Sequence, residues 1–240
     1  MLIPTYNERQ NIAVLVPEIY ALEPSLHLLV IDDSSPDGTA DEVRSLMTQY
    51  PNLELLTRSS KNGLGEAYKE GIAHALLNPS VERIVCMDAD GSHAAHYLPA
   101  LLDASEQHEL VIGSRYVSGG GIANWSLWRY ALSQWGNLYA RTIVGLPIKD
   151  LTAGFTCFHA EVLRRIDFSH IHASGYAFQM ELKFCAAHTL RCSVKEIPIV
   201  FQSRREGESK ISRHIITEGL KTPWRLRARR AGFIPAASRV

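Results

Sequence analysis

The chain has 240 residues, 46% of them apolar, with 25 Lys and Arg balanced by 25 Asp and Glu, which suits one sizeable hydrophobic core rather than two large domains. It contains no run of 18 apolar residues and no basic-then-apolar leader, and its four cysteines (Cys86, Cys157, Cys185, Cys192) lack framework spacing; a membrane span, a cleaved leader and a disulfide scaffold are therefore not expected, and reduced thiols in a cytosolic protein are. Charge is unevenly divided: residues 1–110 hold 17 acidic and 6 basic side chains, residues 111–240 hold 8 acidic and 19 basic.

Met1-Leu2-Ile3 is a short strand stub, either minimal or cut short, that runs into Pro4-Thr5-Tyr6-Asn7-Glu8. Ile12, Leu15, Val16 and Ile19 form a helical stripe over residues 11–22. Leu28 to Ile31 reads as a buried strand that enters Asp32-Asp33-Ser34-Ser35-Pro36-Asp37-Gly38-Thr39. Asp37 or Thr39 is placed to cap a helix reaching about Tyr50, and a strand follows at Leu53–Thr57. The next helix spans Gly65–Leu77 and stops at Asn78-Pro79. A strand at Arg83–Met87, a helix at about Tyr97–Glu106 and a strand at Glu109–Gly113 complete the alternation. Repeated strand–helix units imply a mainly parallel sheet wound by helices. After Ser118-Gly119-Gly120-Gly121, Trp125, Trp128, Leu132, Trp135, Leu138 or Tyr139, and Ile143 recur at helical spacing, over about 124–145. Such a tryptophan stripe either lies at a membrane interface or packs on the sheet. At the far end, Arg225, Arg227, Arg229 and Arg230 give a basic tail over 216–240, suited to an anionic leaflet or to plain solvation.

Ligands of open α/β sheets sit at the carboxyl ends of the strands. The strand at Arg83–Met87 ends in Asp88 and Asp90, with no Lys or Arg within four positions on either side. Two adjacent carboxylates need a cation or a strong donor. A hard divalent ion shared between carboxylate and phosphate is the natural solution, and an acidic turn capping the next helix is the alternative. His93 and His96 lie close by, but no Cys or His cluster completes a zinc site. Turn and cap chemistry accounts for Asp37 but poorly for Asp33. An acidic half suits a metal-bound diphosphate, and a basic half suits a phosphate or membrane partner. No recognised nucleic-acid motif is present, so nucleic acid is not expected as a partner.

Taken in order, Pro4–Glu8, Asp32–Thr39, Met87–His93, Gly113–Tyr116, Asp150–Phe155, Gly175–Glu181 and Arg204–Lys210 resemble the motifs of inverting family 2 nucleotide-sugar glycosyltransferases of the GT-A fold. Within that family the series looks like the dolichol-phosphate (polyprenol-phosphate) mannosyltransferases, over roughly residues 2–215. The resemblance implies an α/β, Rossmann-like GT-A domain at 1–215 with amphipathic interface helices and a mobile loop at about 202–211. It implies transfer of mannose from GDP-mannose to a polyprenyl monophosphate with Mg²⁺ or Mn²⁺, on the cytoplasmic face of a membrane. The protein would be peripheral or tethered to a separate membrane-anchoring protein. By the family pattern, Pro4, Tyr6, Glu8, Ile31, Asp33, Asp88, Ala89, Asp90, Gln179, Arg204 and Lys210 bind the donor. Asp88, Asp90 and, more weakly or through water, Ser92 hold the metal; some relatives have Gln at the Ser92 position. Arg115, Arg129 and Ser209 bind the acceptor phosphate, and Asp90, Arg115 and Asp150 carry catalysis. An acceptor phosphate is already anionic and needs no general base, in keeping with a chain that shows no Ser–His–Asp or Cys–His pattern.

Three other functions compete. The donor could be another nucleotide sugar such as UDP-glucose, since donor preference rests on a few contacts. A non-catalytic GT-A-fold binding subunit is disfavoured by intact Asp88, Asp90, Arg115 and Lys210. A nucleotidyltransferase usually carries a Gly-rich, basic loop after its first strand, and Pro4–Glu8 is not one.

Overall fold

The computed structural model describes residues 1–60, 62–173, 175–203 and 213–231. The chain runs β1 (Leu2–Thr5), α1 (Arg9–Leu22), β2 (Leu28–Asp32), α2 (Thr39–Met47), β3 (Leu53–Thr57), α3 (Leu64–Leu76), β4 (Arg83–Cys86), α4 (Leu98–Ala104) and β5 (Leu110–Ser114). It continues with β6 (Gly121–Ile122), α5 (Leu127–Val144), β7 (Thr156–His159), α6 (Ala160–Arg164), α7 (Tyr176–Phe184), β8 (Val194–Pro198), β9 (Val200–Phe201) and α8 (Arg213–Arg230). Seven strands form one sheet in the order β3-β2-β1-β4-β7-β5-β8, and β6 pairs with β9 in a small parallel ribbon.

Strand side chains alternate between two apolar layers. Leu29 and Ile31, Ile84 and Cys86, and Leu110 and Ile112 face one layer with α3, α5, α7 and α8. Leu28 and Val30, Val85, and Val111 face the other with α1, α2 and α4. Helices on both faces explain why β2, β4 and β5 read as unbroken apolar runs. The expected parallel, helix-wound sheet is therefore the fold. β7 is the exception, running antiparallel between β4 and β5. Its direction matters, because it delivers the Asp150–Phe155 loop to the edge where β4 and β5 end.

The C-terminal segment differs from the expected tail. Residues 213–230 form α8, packed on α5 and α7 with Leu226 fully buried. Arg225 lies 3.2 Å from Glu181, Arg227 donates to the Ile143 carbonyl at 3.0 Å, and Arg230 donates to the Val144 carbonyl at 2.9 Å. Those carbonyls end α5, where no intrahelical donor remains, so arginines there satisfy both a hydrogen-bond deficit and the helix dipole.

Candidate active site

The ends of β1, β2 and β4 meet side by side, and each carries an acidic loop. Asp32 closes β2, fully buried, and accepts Thr5 Oγ1 at 3.0 Å, Ser35 N at 2.9 Å and Ser35 Oγ at 2.5 Å. It holds the first two strand ends together rather than facing a ligand. Asp33 follows, paired with the buried Arg58 at 2.5 Å. Burial pushes the Asp33 carboxyl up even with that guanidinium beside it. Glu8 is also buried and accepts Asn11 Nδ2 at 2.7 Å. Asp37 caps two helices, accepting the backbone N–H groups of Arg9 and Thr39. Burial works against its ionisation, but the hydrogen bonds from Thr39 and Arg9 hold it below the usual carboxylate range. Pro4 sits in β1 and Tyr6 just beyond it, both half-buried. Ile31 is different: its side chain belongs to the core, so tight against α3 that a Cβ on Gly71 would fall 2.3 Å from its Cδ1. Ala89 likewise packs in the core. Both shape the edge and present no side chain to a ligand.

A cavity of about 270 Å³ opens beside this edge, between β4, β5 and α5. Asp88, Asp90 and Ser92 line one wall and Arg115, Arg129 and Ser133 another. Asp90 is buried and accepts the Ser92 backbone N–H at 3.0 Å, a turn helped by the left-handed backbone of Gly91. Gly154 presses on the pair from the opposite side, where a Cβ would stand 3.2 Å from Asp88 Oδ2. Oxygen donors at this wall suit a hard cation. Among the described residues no group of three or more His, Cys, Asp or Glu could hold a metal by itself.

Arg115 leaves the end of β5 and is gripped by Asp150: Nε lies 2.7 Å from Oδ2 and Nη2 2.7 Å from Oδ1. Nη2 also reaches Thr152 Oγ1 at 2.7 Å. Asp150 is fully buried and lies behind the cavity wall rather than on it. Burial opposes its ionisation, yet the Arg115 charge and its hydrogen bonds hold the carboxyl below the ordinary range. Where Asp150 was expected to carry catalysis, the structure places it behind the wall, holding Arg115.

The third wall is aromatic and comes from the segment just before α5 and from β9. Arg129 lies 4.0 Å above the Trp125 ring, Trp125 meets Phe201 edge-on at 5.6 Å, and His93 sits between Phe201 and Phe155. Burial lowers His93 to about 4, so it is neutral at neutral pH. The ribbon β6–β9 places Phe201, and it needs Gly120 beneath it, where a Cβ would fall 2.6 Å from the Ser114 carbonyl oxygen. Of the three tryptophans in the stripe, Trp125 faces the cavity, while Trp128 and Trp135 are 77% and 69% exposed.

Gln179, on α7, is buried away from the cavity, and neither amide atom has a hydrogen-bond partner among the described residues. Arg204, Ser209 and Lys210 lie outside the described residues. Sequence reasoning missed Ser133, Asn137, Thr152 and Lys183. Asn137 ties α5 to the loop before β7, donating to the Lys149 carbonyl and accepting Leu151 N. Ser133 follows Arg129 by one helical turn, which is the one signal that could have found it.

The sequence profile described as glycosyl transferase family 2 matches residues 1–171. An undecaprenyl-phosphate mannosyltransferase of Micrococcus luteus is 41% identical over 234 residues, covering 97% of this chain and 96% of the relative. A polyprenol monophosphomannose synthase of Mycolicibacterium smegmatis is 42% identical over 233 residues, covering 95% of this chain and 87% of the relative. In fold, the chain resembles glucosyl-3-phosphoglycerate synthase from Mycobacterium tuberculosis in complex with Mn²⁺, UDP-glucose and phosphoglyceric acid. That match has a TM-score of 0.68 and 20% identity, covering 98% of this chain and 80% of the other.

Proposed function

The chain belongs to glycosyl transferase family 2, and from that premise we propose that it transfers mannose from GDP-mannose to a polyprenyl monophosphate with inversion at the anomeric carbon. The observation that carries the reading is one cavity holding both halves of the charge pattern: Asp88 and Asp90 on one wall, Arg115 and Arg129 on another. The two relatives with 41% and 42% identity, both named for polyprenyl-phosphate mannosyl chemistry, support it.

The donor would lie along the ends of β2, β1 and β4, its nucleoside near Asp33 and Glu8 and its diphosphate toward Asp88 and Asp90. The two carboxylates and the Ser92 hydroxyl would hold Mg²⁺ or Mn²⁺, and the ion would supply Lewis-acid stabilisation of the leaving group. Arg129, Ser133 and Arg115 would orient the acceptor phosphate. Its oxygen attacks the anomeric carbon, the new O–C bond forms, and the bond to the diphosphate breaks to release GDP. No proton needs to be removed from the nucleophile, so positioning and charge screening are the catalytic tasks.

Among the described residues no helix is long and apolar enough to cross a membrane. The exposed Leu127, Trp128, Leu132, Trp135 and Leu138 of α5 fit a peripheral site on a bilayer that holds the lipid tail. The test is a donor panel with a short polyprenyl phosphate and either metal, read by detection of the glycolipid. Product from GDP-mannose alone supports the reading; product from UDP-glucose moves it to another donor; no lipid product from any donor removes it.

A further inference from the structure

Lys183 reaches the transfer site from beneath. It sits on α7, one turn after Gln179 on the same helix face, and its side chain is fully buried. Its Nζ donates to the Leu151 carbonyl at 3.0 Å and to the Ala153 carbonyl at 2.5 Å. Those two carbonyls alternate with Thr152 and Gly154, whose outward sides line the cavity. Thr152 meets Arg115, and Gly154 abuts both Asp88 and His93, the latter at 3.5 Å from a Cβ built on it. One buried ammonium thus sets the height of a strip on which both charged walls rest. A lysine in such a place is unfavourable unless its donors are used, and here both bonds go to the same short loop.

We propose that Lys183 is a positioning residue of the transfer reaction: its ammonium fixes the Asp150–Phe155 loop so that Gly154 braces Asp88 and Thr152 braces Arg115. The inference rests on the reading of this cavity as the transfer site. The groups facing Lys183 are Asp150 from the loop, Arg115 from the end of β5, Glu196 from β8, Cys86 from β4 and His93 from the loop after β4. Burial dominates and lowers the lysine to about 7, while Asp150 and Glu196 favour its charge and Arg115 opposes it. The charged form is therefore held below about pH 7 and lost above it. A neutral amine keeps two N–H donors but loses the charge that strengthens them and that faces Asp150. Turnover should fall as pH rises through this range.

Folding stability should move the other way. In the unfolded chain the lysine stays protonated to about 10.4. Between about 7 and that value the unfolded state binds more protons than the folded state, so this group makes stability rise with pH. A lysine with a purely structural role would not move turnover against stability.

The experiment compares wild type, Lys183→Met and Lys183→Gln from pH 6 to 9, reading kcat, donor KM, acceptor KM and thermal melts. Lys183→Met should lower kcat about tenfold at pH 6.5, equivalent to roughly 1.4 kcal/mol of barrier, with donor KM changed less than about twofold. Lys183→Gln places two N–H donors near the same carbonyls without charge; it should match the lower turnover of wild type at alkaline pH and lack the alkaline decline. The wild-type melting temperature should rise relative to that of Lys183→Gln between pH 7 and 9. A folded Lys183→Met with wild-type kcat and pH profile overturns the proposal. If Lys183→Met does not fold, the Gln variant decides: a wild-type decline there overturns it and a flat profile supports it. Wild-type turnover with a different nucleotide sugar removes only the donor reading, since the same comparison is then made with that donor. Wild type inert toward every donor removes both.

Discussion

The sheet side of the cavity and its helix side are built on opposite plans. On the sheet side, buried charges are held by short contacts: Asp32 by Thr5 and Ser35, Asp33 by Arg58, Asp150 by Arg115. On the helix side, α5 buries Asn137, Ala140, Ile143 and Val144 near its C-terminal half and leaves large apolar residues exposed nearer its start. The first wall is finished before any ligand arrives, as electrostatic catalysis requires. The second is unfinished, and fully burying each of its large side chains would contribute about 1.5–3 kcal/mol. On the proposed reading, chemistry falls to the preorganised wall and recruitment to the incomplete one, and substitutions on the two should fail in different ways.

The largest loss is expected on the sheet side. Asp90→Ala should abolish detectable transfer and the divalent dependence of GDP binding, because a carboxylate at the end of β4 that lines the cavity is lost. Titration of Mn²⁺ against GDP affinity checks it; metal-dependent affinity equal to wild type would remove Asp90 from the metal site.

Arg115→Ala comes next, with kcat down about a hundredfold, in the range seen when one charge-stabilising group is removed. It should also cost about 3–5 kcal/mol of stability, because Asp150 is left buried and uncompensated. The double variant Arg115→Ala with Asp150→Asn separates the two effects. It removes both charges, so stability should largely return while turnover does not. If turnover returns with stability, Arg115 serves the fold and not the reaction. The lowered Asp150 pKa adds a pH signature: its contribution to stability is present above the unfolded carboxyl value near 3.9 and is lost as pH falls through the folded one.

These assignments were legible to different degrees. β2, β4 and β5 announce themselves as apolar runs because both sheet faces are covered. Their terminal residues Asp33, Asp88, Asp90 and Arg115 could therefore be placed at one edge from sequence. β7 was not legible: four residues, Thr-Cys-Phe-His, carry no alternation, and the strand exists because β4 and β5 leave a gap that it fills. α8 read as a tail because its arginines look solvated; only the ends of α5 and Glu181 reveal what they bind. Lys183 and Asn137 bond to main-chain groups 12 to 32 positions away, in the loop before β7, and no local pattern signals a partner of that kind. Ile31, Ala89 and Asp150 show the converse, since position in a motif placed them at the site and burial took their side chains away from it.

On the helix side, Arg129→Ala should raise acceptor KM about five- to tenfold and leave donor KM unchanged. The Arg129 guanidinium rests on the Trp125 ring, which holds it over the cavity mouth at little entropic cost. Acceptor kinetics at saturating donor check it. A shift in donor KM instead would place Arg129 on the diphosphate.

The smallest effect on chemistry, and the sharpest division between the walls, is expected from the outermost tryptophans. Trp128→Ser with Trp135→Ser should lower partition onto phosphatidylglycerol vesicles about tenfold, since exposed indoles contribute through insertion of apolar surface. Turnover of a short acceptor in detergent should stay near wild type, because neither ring lines the cavity. Changing Arg225, Arg227, Arg229 and Arg230 to Ser should act differently. Arg225 pairs with Glu181, and the other three donate to carbonyls of Ile143, His170 and Val144. Their loss should lower the melting temperature and leave vesicle binding per folded molecule within about twofold. Flotation at low and high salt, paired with thermal melts, distinguishes the cases. If the arginine variant stays folded and detaches while the tryptophan variant floats as wild type does, then recruitment is electrostatic and α8, not α5, is the membrane face.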